Sequence, residues 1–172
     1  QGVLFVGLMI DEAGDPHVIE FNVRFGDPET QPLMVRMQTD LLPLLADASR
    51  GTLDESTAVD WGEAAVCVVL ASGGYPRSYE TGKTIEGLDE LAGEEGLVVF
   101  HAGTRRTESG DGFETAGGRV LGVTASGVDV LEARERAYRA VDRLHFEGMH
   151  FRHDIASRAL ERPARDRPGG GP

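Results

Sequence analysis

The run Val18-Ile19-Glu20-Phe21-Asn22-Val23-Arg24-Phe25 constrains this chain more than any other, because polar and apolar side chains alternate along it without a slip after Ile19. A period of two is the mark of a strand with one covered face. Glu20, Asn22 and Arg24 are therefore expected on one side, with Ile19, Phe21 and Val23 packing on the other. The run breaks at Gly26-Asp27-Pro28, where glycine permits unusual dihedrals and proline presets φ while removing a donor. A strand that ends in a carboxylate-bearing turn forms the edge of a site. Upstream, the apolar stretch 2–10 and the turn-rich stretch 11–16 complete the pattern of a hairpin, with the partner strand expected over 17–25.

Glu20 and the Asn22 carbonyl are hard oxygen donors of the kind Mg²⁺ takes, few per ion, with water and phosphate oxygens completing the shell. Arg24 adds a fixed fork suited to a phosphoryl or carboxylate oxygen. The spacing alone equally fits the solvated face of an amphipathic edge strand, and that alternative stays open at the level of spacing.

Beyond the turn, Leu33, Val35, Met37, Leu41, Leu42, Leu44, Leu45 and Ala48 recur mostly at helical spacing. Pro32 suits a first helical turn. A second helix is expected to start at Thr39-Asp40, with Pro43 in its first turn and Gly51 at its end, burying a Leu/Met face against a sheet. Residues 54–60 read as a connection. The second half is mainly strands, expected over 64–71, 97–102, 113–115 and 119–126, with a charged hairpin-like link over 103–112. The continuous apolar run 64–71 suits a strand covered on both faces. Gly73-Gly74 and Gly117-Gly118-Arg119 could approach a ligand or cradle an anion, or be plain turns. An amphipathic helix is expected over 128–144, with Val130, Leu131, Ala133, Ala137, Ala140, Val141 and Leu144 on its apolar stripe. His101 reads as a structural histidine, and His145, His150 and His153 are too irregularly spaced for a zinc site. From Glu161 the Arg/Pro/Gly-rich tail lacks apolar periodicity and is expected to be disordered.

Of 172 residues, one is cysteine, Cys67, which fits a small buried residue in a reducing compartment. The formal net charge of −12 argues against nucleic acid or an anionic membrane as partner, since both want a basic surface. No run approaches the ~18–20 apolar residues of a membrane span. An anionic substrate must be held by local donors rather than by the overall field.

Arg24-Phe25-Gly26-Asp27-Pro28-Glu29-Thr30-Gln31 resembles the signature octapeptide of the phosphoribosylamine-glycine ligase family, and Glu20-x-Asn22-x-Arg24 resembles the metal-binding strand of ATP-grasp enzymes. The resemblance continues through 65–76, 100–104, 117–125 and the motif Arg152-His153-Asp154-Ile155, covering the chain to about Leu160. It implies an α+β fold: the C-terminal part of an ATP-grasp domain over 1–53, then a small, mainly antiparallel β-sheet domain with helices over 61–160, and the tail 161–172. It implies an ATP-dependent carboxylate-amine ligase of purine biosynthesis in the cytoplasm, joining glycine to 5-phosphoribosylamine, with ATP and Mg²⁺ (or Mn²⁺) as cofactors. Against the family's length the chain corresponds to the C-terminal portion, so the N-terminal ligase portion is an expected partner. Glu20 and Asn22 are the implied metal ligands, and Arg24 joins them at the nucleotide end of the site. Arg24 and Asp27 are the implied catalytic residues, as acyl-phosphate clamp and as part of the glycine or amine pocket. Two alternatives are a non-catalytic ATP-grasp remnant serving as a binding module, and a carboxylase-type ATP-grasp protein.

Overall fold

The computed structural model describes residues 1–161, so the tail expected to be disordered lies, after Glu161, outside the described residues. The chain divides into two compact units, one of residues 1–62 and one beginning at Glu63.

In the first unit, β1 (Phe5–Ile10) and β2 (Pro16–Asn22) form an antiparallel hairpin. Asp11 holds its turn, its carboxylate accepting from the Ala13 and Asp15 amides at 2.9 Å. The register pairs Gly7 with Glu20 but Leu8 with Val18, so Ile19 is the extra residue of a β-bulge. The bulge re-phases the strand. Glu20 and Asn22 stand on the face of Phe5 and Gly7, whereas Val18 and Phe21 join Val6, Leu8 and Ile10 on the other. That second face is wholly apolar. It is not covered as expected: Phe21 is 63% exposed and Val18 53%, and Ile19 at the bulge is 64% exposed. The strand also stops earlier than alternation suggested, leaving Val23 and Arg24 in a bend.

Two helices follow, α1 (Thr30–Arg36) and α2 (Leu41–Arg50). Asp40 caps α2 by accepting from the Leu42 amide at 2.9 Å, and Gly51 closes it at φ 71°, a left-handed position glycine reaches without strain. Neither helix has a fully buried residue, so the expected burial of a Leu/Met face is only partial.

The second unit holds the core. β3 (Ala64–Ala71), β8 (Arg119–Gly127) and β5 (Leu97–His101) make an antiparallel sheet in the order β3-β8-β5. β4 (Thr84–Ile85), β7 (Phe113–Thr115) and β6 (Thr104–Arg106) make a second, in the order β4-β7-β6. β3 is buried because α3 (Val130–Val141) covers the sheet, with Ala133, Ala137, Ala140 and Val141 inward. Small residues on that stripe let helix and sheet approach closely. Leu131, expected on the stripe, is instead 47% exposed. Asp129 caps α3 through the Glu132 amide at 2.9 Å, and Glu132 reaches back to the Val128 amide at 2.8 Å. Cys67 is buried in β3.

The segment after α3, which carries the motif Arg152-His153-Asp154-Ile155, packs back on this unit. The Arg134 guanidinium donates to the Ile155 and His153 carbonyls, both at 2.9 Å, and the Tyr138 hydroxyl donates to the Arg152 carbonyl at 2.7 Å. A short helix, α4 (Ser157–Glu161), ends the described chain. The architecture is α+β with antiparallel sheets, the expected class.

Candidate functional site

The site predicted from sequence lies in the first unit, where β2 passes into the turn before α1. Glu20 and Asn22 lie two residues apart on one face of β2. Opposite Glu20 is Gly7, and a Cβ there would come within 3.1 Å of the Glu20 Cγ. The glycine leaves room for the carboxylate. Among the described residues, neither the Glu20 carboxylate nor the Asn22 amide has a hydrogen-bond or ion-pair partner.

The turn that follows is built around Gly26, which is buried. A Cβ at this position would lie 2.5 Å from the Glu29 carboxylate, the far end of a flexible side chain, and 3.3 Å from the Phe5 ring, so the turn packs closely on its Phe5 side. Thr30 fixes the turn, donating to the Gly26 carbonyl both through its amide at 3.1 Å and through its hydroxyl. The Asp27–Pro28 peptide is cis. The Gln31 amide donates from Nε2 to the Asp27 Oδ1 at 3.1 Å, while its Oε1 is buried without a partner. Arg24 donates from Nη1 to the Phe25 carbonyl at 2.8 Å and is exposed. The sequence thus brought Glu20 and Asn22 onto one strand face, with Arg24 and Asp27 following in the bend and turn rather than on the strand itself. Gly7, Thr30 and Gln31 were not singled out; the i,i+4 spacing of Asp27 and Gln31 is the signal that could have found the last.

Could these donors hold a divalent cation? Among the described residues no three or more His, Cys, Asp and Glu side chains gather as a metal cage. A Mg²⁺ ion that takes one or two protein oxygens and completes its shell from phosphates and water does not need one. One carboxylate and one amide carbonyl, both unpartnered and given space by Gly7, fit that donor set.

The second unit's candidates are absorbed by its own packing. A Cβ on Gly118 would lie 2.2 Å from the Tyr75 ring, and one on Gly73 2.9 Å from the Gly148 carbonyl oxygen. Ser72 locks the same loops together, its amide donating to the Gly118 carbonyl and its hydroxyl to the Gly117 carbonyl, each at 2.8 Å. These glycines serve close approach of backbone to backbone and ring. Arg119 donates from Nε to the Tyr75 hydroxyl at 3.2 Å. His145 and His150 lie in β-bridges with Glu86 and Ala71, and the His153 ring packs on Phe151.

His101 packs its ring on Phe113 with centroids 4.4 Å apart, and Nδ1 meets the Thr104 hydroxyl at 2.9 Å. Burial of the ring, not a charged neighbour, holds its pKa below the ordinary 6.5, although the residue keeps an open side. The fold therefore favours the neutral ring. Its contribution to stability is complete above the unfolded value of 6.5 and is lost as pH falls through the lower folded value. Thermal melts at about pH 7.5 and about pH 5.5 check this: the parent is expected to lose more stability on acidification than His101→Gln, and equal losses would count against it.

Comparison with known proteins bears on both units. The family model "Phosphoribosylglycinamide synthetase, C domain" matches residues 65–158, and "Phosphoribosylglycinamide synthetase, ATP-grasp (A) domain" matches residues 1–30. A phosphoribosylamine-glycine ligase of Arabidopsis thaliana, a chloroplastic protein, is 53% identical over 162 residues, covering 92% of this chain and 30% of that protein. The Escherichia coli O157:H7 ligase is 51% identical over 162 residues, covering 94% of this chain and 37% of its own. Among solved structures, phosphoribosylamine-glycine ligase from Thermotoga maritima superposes with a TM-score of 0.73 at 37% identity, over 89% of this chain and 36% of that one. N5-carboxyaminoimidazole ribonucleotide synthetase from the same organism shares the fold, with a TM-score of 0.59 at 21% identity.

The α+β fold and the match of residues 1–30 thus mark a protein of the ATP-grasp type. The chain belongs to the phosphoribosylglycinamide synthetase family. It spans roughly a third of the length of the curated relatives it matches. Among the described residues no helix is long and apolar enough to cross a membrane.

Proposed function

We propose that this chain supplies the C-terminal part of a phosphoribosylamine-glycine ligase, which joins glycine to 5-phosphoribosylamine at the expense of ATP and releases glycinamide ribonucleotide, ADP and phosphate. The observation that carries the reading is the pair Glu20 and Asn22, unpartnered on one strand face and given room by Gly7, at the entrance to the Arg24–Gln31 turn. We assign residues 1–53 to the ATP-grasp part and 61–160 to the ligase C-terminal domain, in keeping with the two family models.

In this reading Glu20 and Asn22 offer oxygens to Mg²⁺, or to Mn²⁺ in its place. The ion supplies charge neutralisation for the ATP phosphates. Arg24 sits just past the strand end, exposed, with a guanidinium that can turn from the Phe25 carbonyl to an anion. Its fork suits the oxygens of the acyl phosphate that forms when the glycine carboxylate attacks the γ-phosphate. Asp27 belongs to the glycine or amine pocket, and the amine nucleophile displaces phosphate from that acyl phosphate. Such transfers depend on positioning and charge more than on covalent help.

The apolar hairpin face supports a further partner. Val6, Leu8, Ile10, Val18 and Phe21 form one continuous exposed apolar surface, and such surfaces mark interaction sites. We assign its cover to the N-terminal portion of a family ligase, since the chain spans roughly a third of the length of its relatives. A cytoplasmic setting accompanies this assignment, although the Arabidopsis relative is chloroplastic.

The test is ADP release dependent on both glycine and phosphoribosylamine, by this chain alone and mixed with the N-terminal portion of the E. coli ligase. Activity in the mixture is the expected result. No activity in either, with both pieces shown folded by circular dichroism, would overturn the ligase reading and favour a non-catalytic module.

A further inference from the structure

We propose that His17, held by Asp11, is a further anion-contacting residue of the site at Glu20 and Asn22, donating to a phosphate oxygen of the nucleotide. The inference rests on the ligase reading for the identity of that anion, while the placement of His17 follows from the hairpin alone. Strict alternation would put His17 with Ile19 and Phe21, on the face away from Glu20. The bulge at Ile19 reverses this. β1 pairs Phe5 with Asn22, Gly7 with Glu20 and Met9 with His17, so the three β2 residues stand on one face. Gly7 and Met9 are two residues apart, which sets His17 about 7 Å along the strand from Glu20. A phosphate group on an ion at Glu20 and an imidazole turned toward it bridge such a separation.

The face offers an anion little else. Phe5, Gly7 and Met9 have no side-chain donor, Glu20 has the wrong charge, and the Asn22 carbonyl is assigned to the ion. Within residues 1–23 His17 is the one side chain able to carry positive charge, in a stretch that holds Asp11, Glu12, Asp15 and Glu20. Phosphate oxygens that complete the shell of an ion on this face thus have one local cation of the hairpin to meet.

The ring is presented by its turn. Asp11 Oδ1 accepts from the Ala13 and Asp15 amides at 2.9 Å, and its Oδ2 meets His17 Nε2 at 3.0 Å. The bond to His17 foremost, and then those to the backbone, hold the Asp11 carboxyl below its ordinary range. A carboxylate only accepts, so Nε2 is the donor and Nδ1 is left over. Among the described residues Nδ1 has no partner. A ring carrying both protons donates from Nδ1 without releasing Asp11. Stability alone does not ask for this arrangement, since the His17 and Asp11 side chains are 64% and 41% exposed and such pairs add little. What Asp11 supplies is orientation: it carries the fixed geometry of the turn to the ring.

Two measurements test this. In the chain by itself, Mn²⁺ serves as a paramagnetic probe and the His17 ring protons are followed by NMR. Their broadening is expected in the parent and its loss in Glu20→Gln. Sharp His17 signals in the parent, or broadening that persists in Glu20→Gln, would overturn the shared face. In the complemented assembly, His17→Gln keeps a donor for Asp11 and is expected to melt with the parent, as is His17→Lys. KM for ATP should rise roughly tenfold in His17→Gln, the size of effect of one lost charge-assisted hydrogen bond at an exposed site, and return toward the parent value in His17→Lys. KM for glycine should stay unchanged in both. An unchanged KM for ATP in His17→Gln, or a rise that His17→Lys does not reverse, would overturn the anion contact and leave His17 and Asp11 a surface pair. An assembly inactive with His17 in place would overturn the ligase reading instead, and the Mn²⁺ result still decides the placement.

Discussion

Gly87→Ala is expected to destabilise the second unit by about 3–5 kcal/mol, the sum of a strained backbone and an overpacked contact. Gly87 has φ +88°, a left-handed conformation that costs a residue with a Cβ, and the added carbon would lie 1.9 Å from the Arg143 carbonyl oxygen. The obstacle is backbone, so no rotamer relieves it. The location magnifies the effect. On one side of Gly87 is Glu86, whose amide donates to the His145 carbonyl at 2.8 Å and whose carbonyl accepts from the His145 amide at 3.2 Å. Arg143 itself ties the end of α3 to the neighbouring segment, pairing with Glu94 at 2.8 Å and donating to the Glu90 carbonyl. Pushing residue 87 away from 143 loosens both sets of bonds, along with the nearby buried Leu144 and Phe146. Chemical denaturation of the two proteins checks this, since whole domains are stable by only ~5–15 kcal/mol. A loss under about 1 kcal/mol would show that the seam yields easily, against the close-packed interior on which the estimate rests.

How far such features could be read in advance depended on whether a residue's neighbours in sequence were also its neighbours in space. β3 was legible because its alanines, valines and Leu70 form an unbroken apolar run, and α2 because Asp40 and Gly51 bracket a leucine pattern. β4 and β6 were not. Thr84-Ile85 is too short to show a period, and Thr104-Arg105-Arg106 looks like a charged loop; both are strands only because β7 lies between them. Leu131 keeps helical phase with the apolar stripe, yet it faces outward, because burial is set by what lies opposite. The hairpin makes the same point at the site. Alternation put Glu20 and Asn22 on one face correctly, but Ile19 is bulged and Val23-Arg24 has left the strand, and a period of two contains neither a bulge nor a strand end. The turn around Gly26 was visible as Gly-Asp-Pro. Its link from Asp27 to Gln31 carried only the weak signal of i,i+4 spacing, which marks a pair only once a helix start brings the two together.

Arg24→Ala should leave the chain folded and remove most of its contribution to turnover. Its fold cost is expected to be small because Arg24 is exposed, lies outside β2, and makes its described hydrogen bond to the carbonyl of the next residue. Its catalytic cost is expected to be large for the opposite reason. In the proposed reaction negative charge gathers on phosphoryl and carboxylate oxygens beyond the end of β2, within a protein whose net charge is −12 and whose long-range field opposes them. Only local cations offset that field, and a fork that donates two parallel hydrogen bonds does so with defined geometry. Losing one such donor at a site of developing charge lowers kcat by about 10²–10³-fold. Arg24→Lys should recover only part of this, since an ammonium restores the charge but not the fork. Measured in the complemented assembly, the two variants separate the contributions of charge and geometry. Turnover for Arg24→Ala equal to that of the parent, at saturating glycine and phosphoribosylamine, would remove Arg24 from the mechanism and return it to the solvated surface from which its spacing alone did not distinguish it.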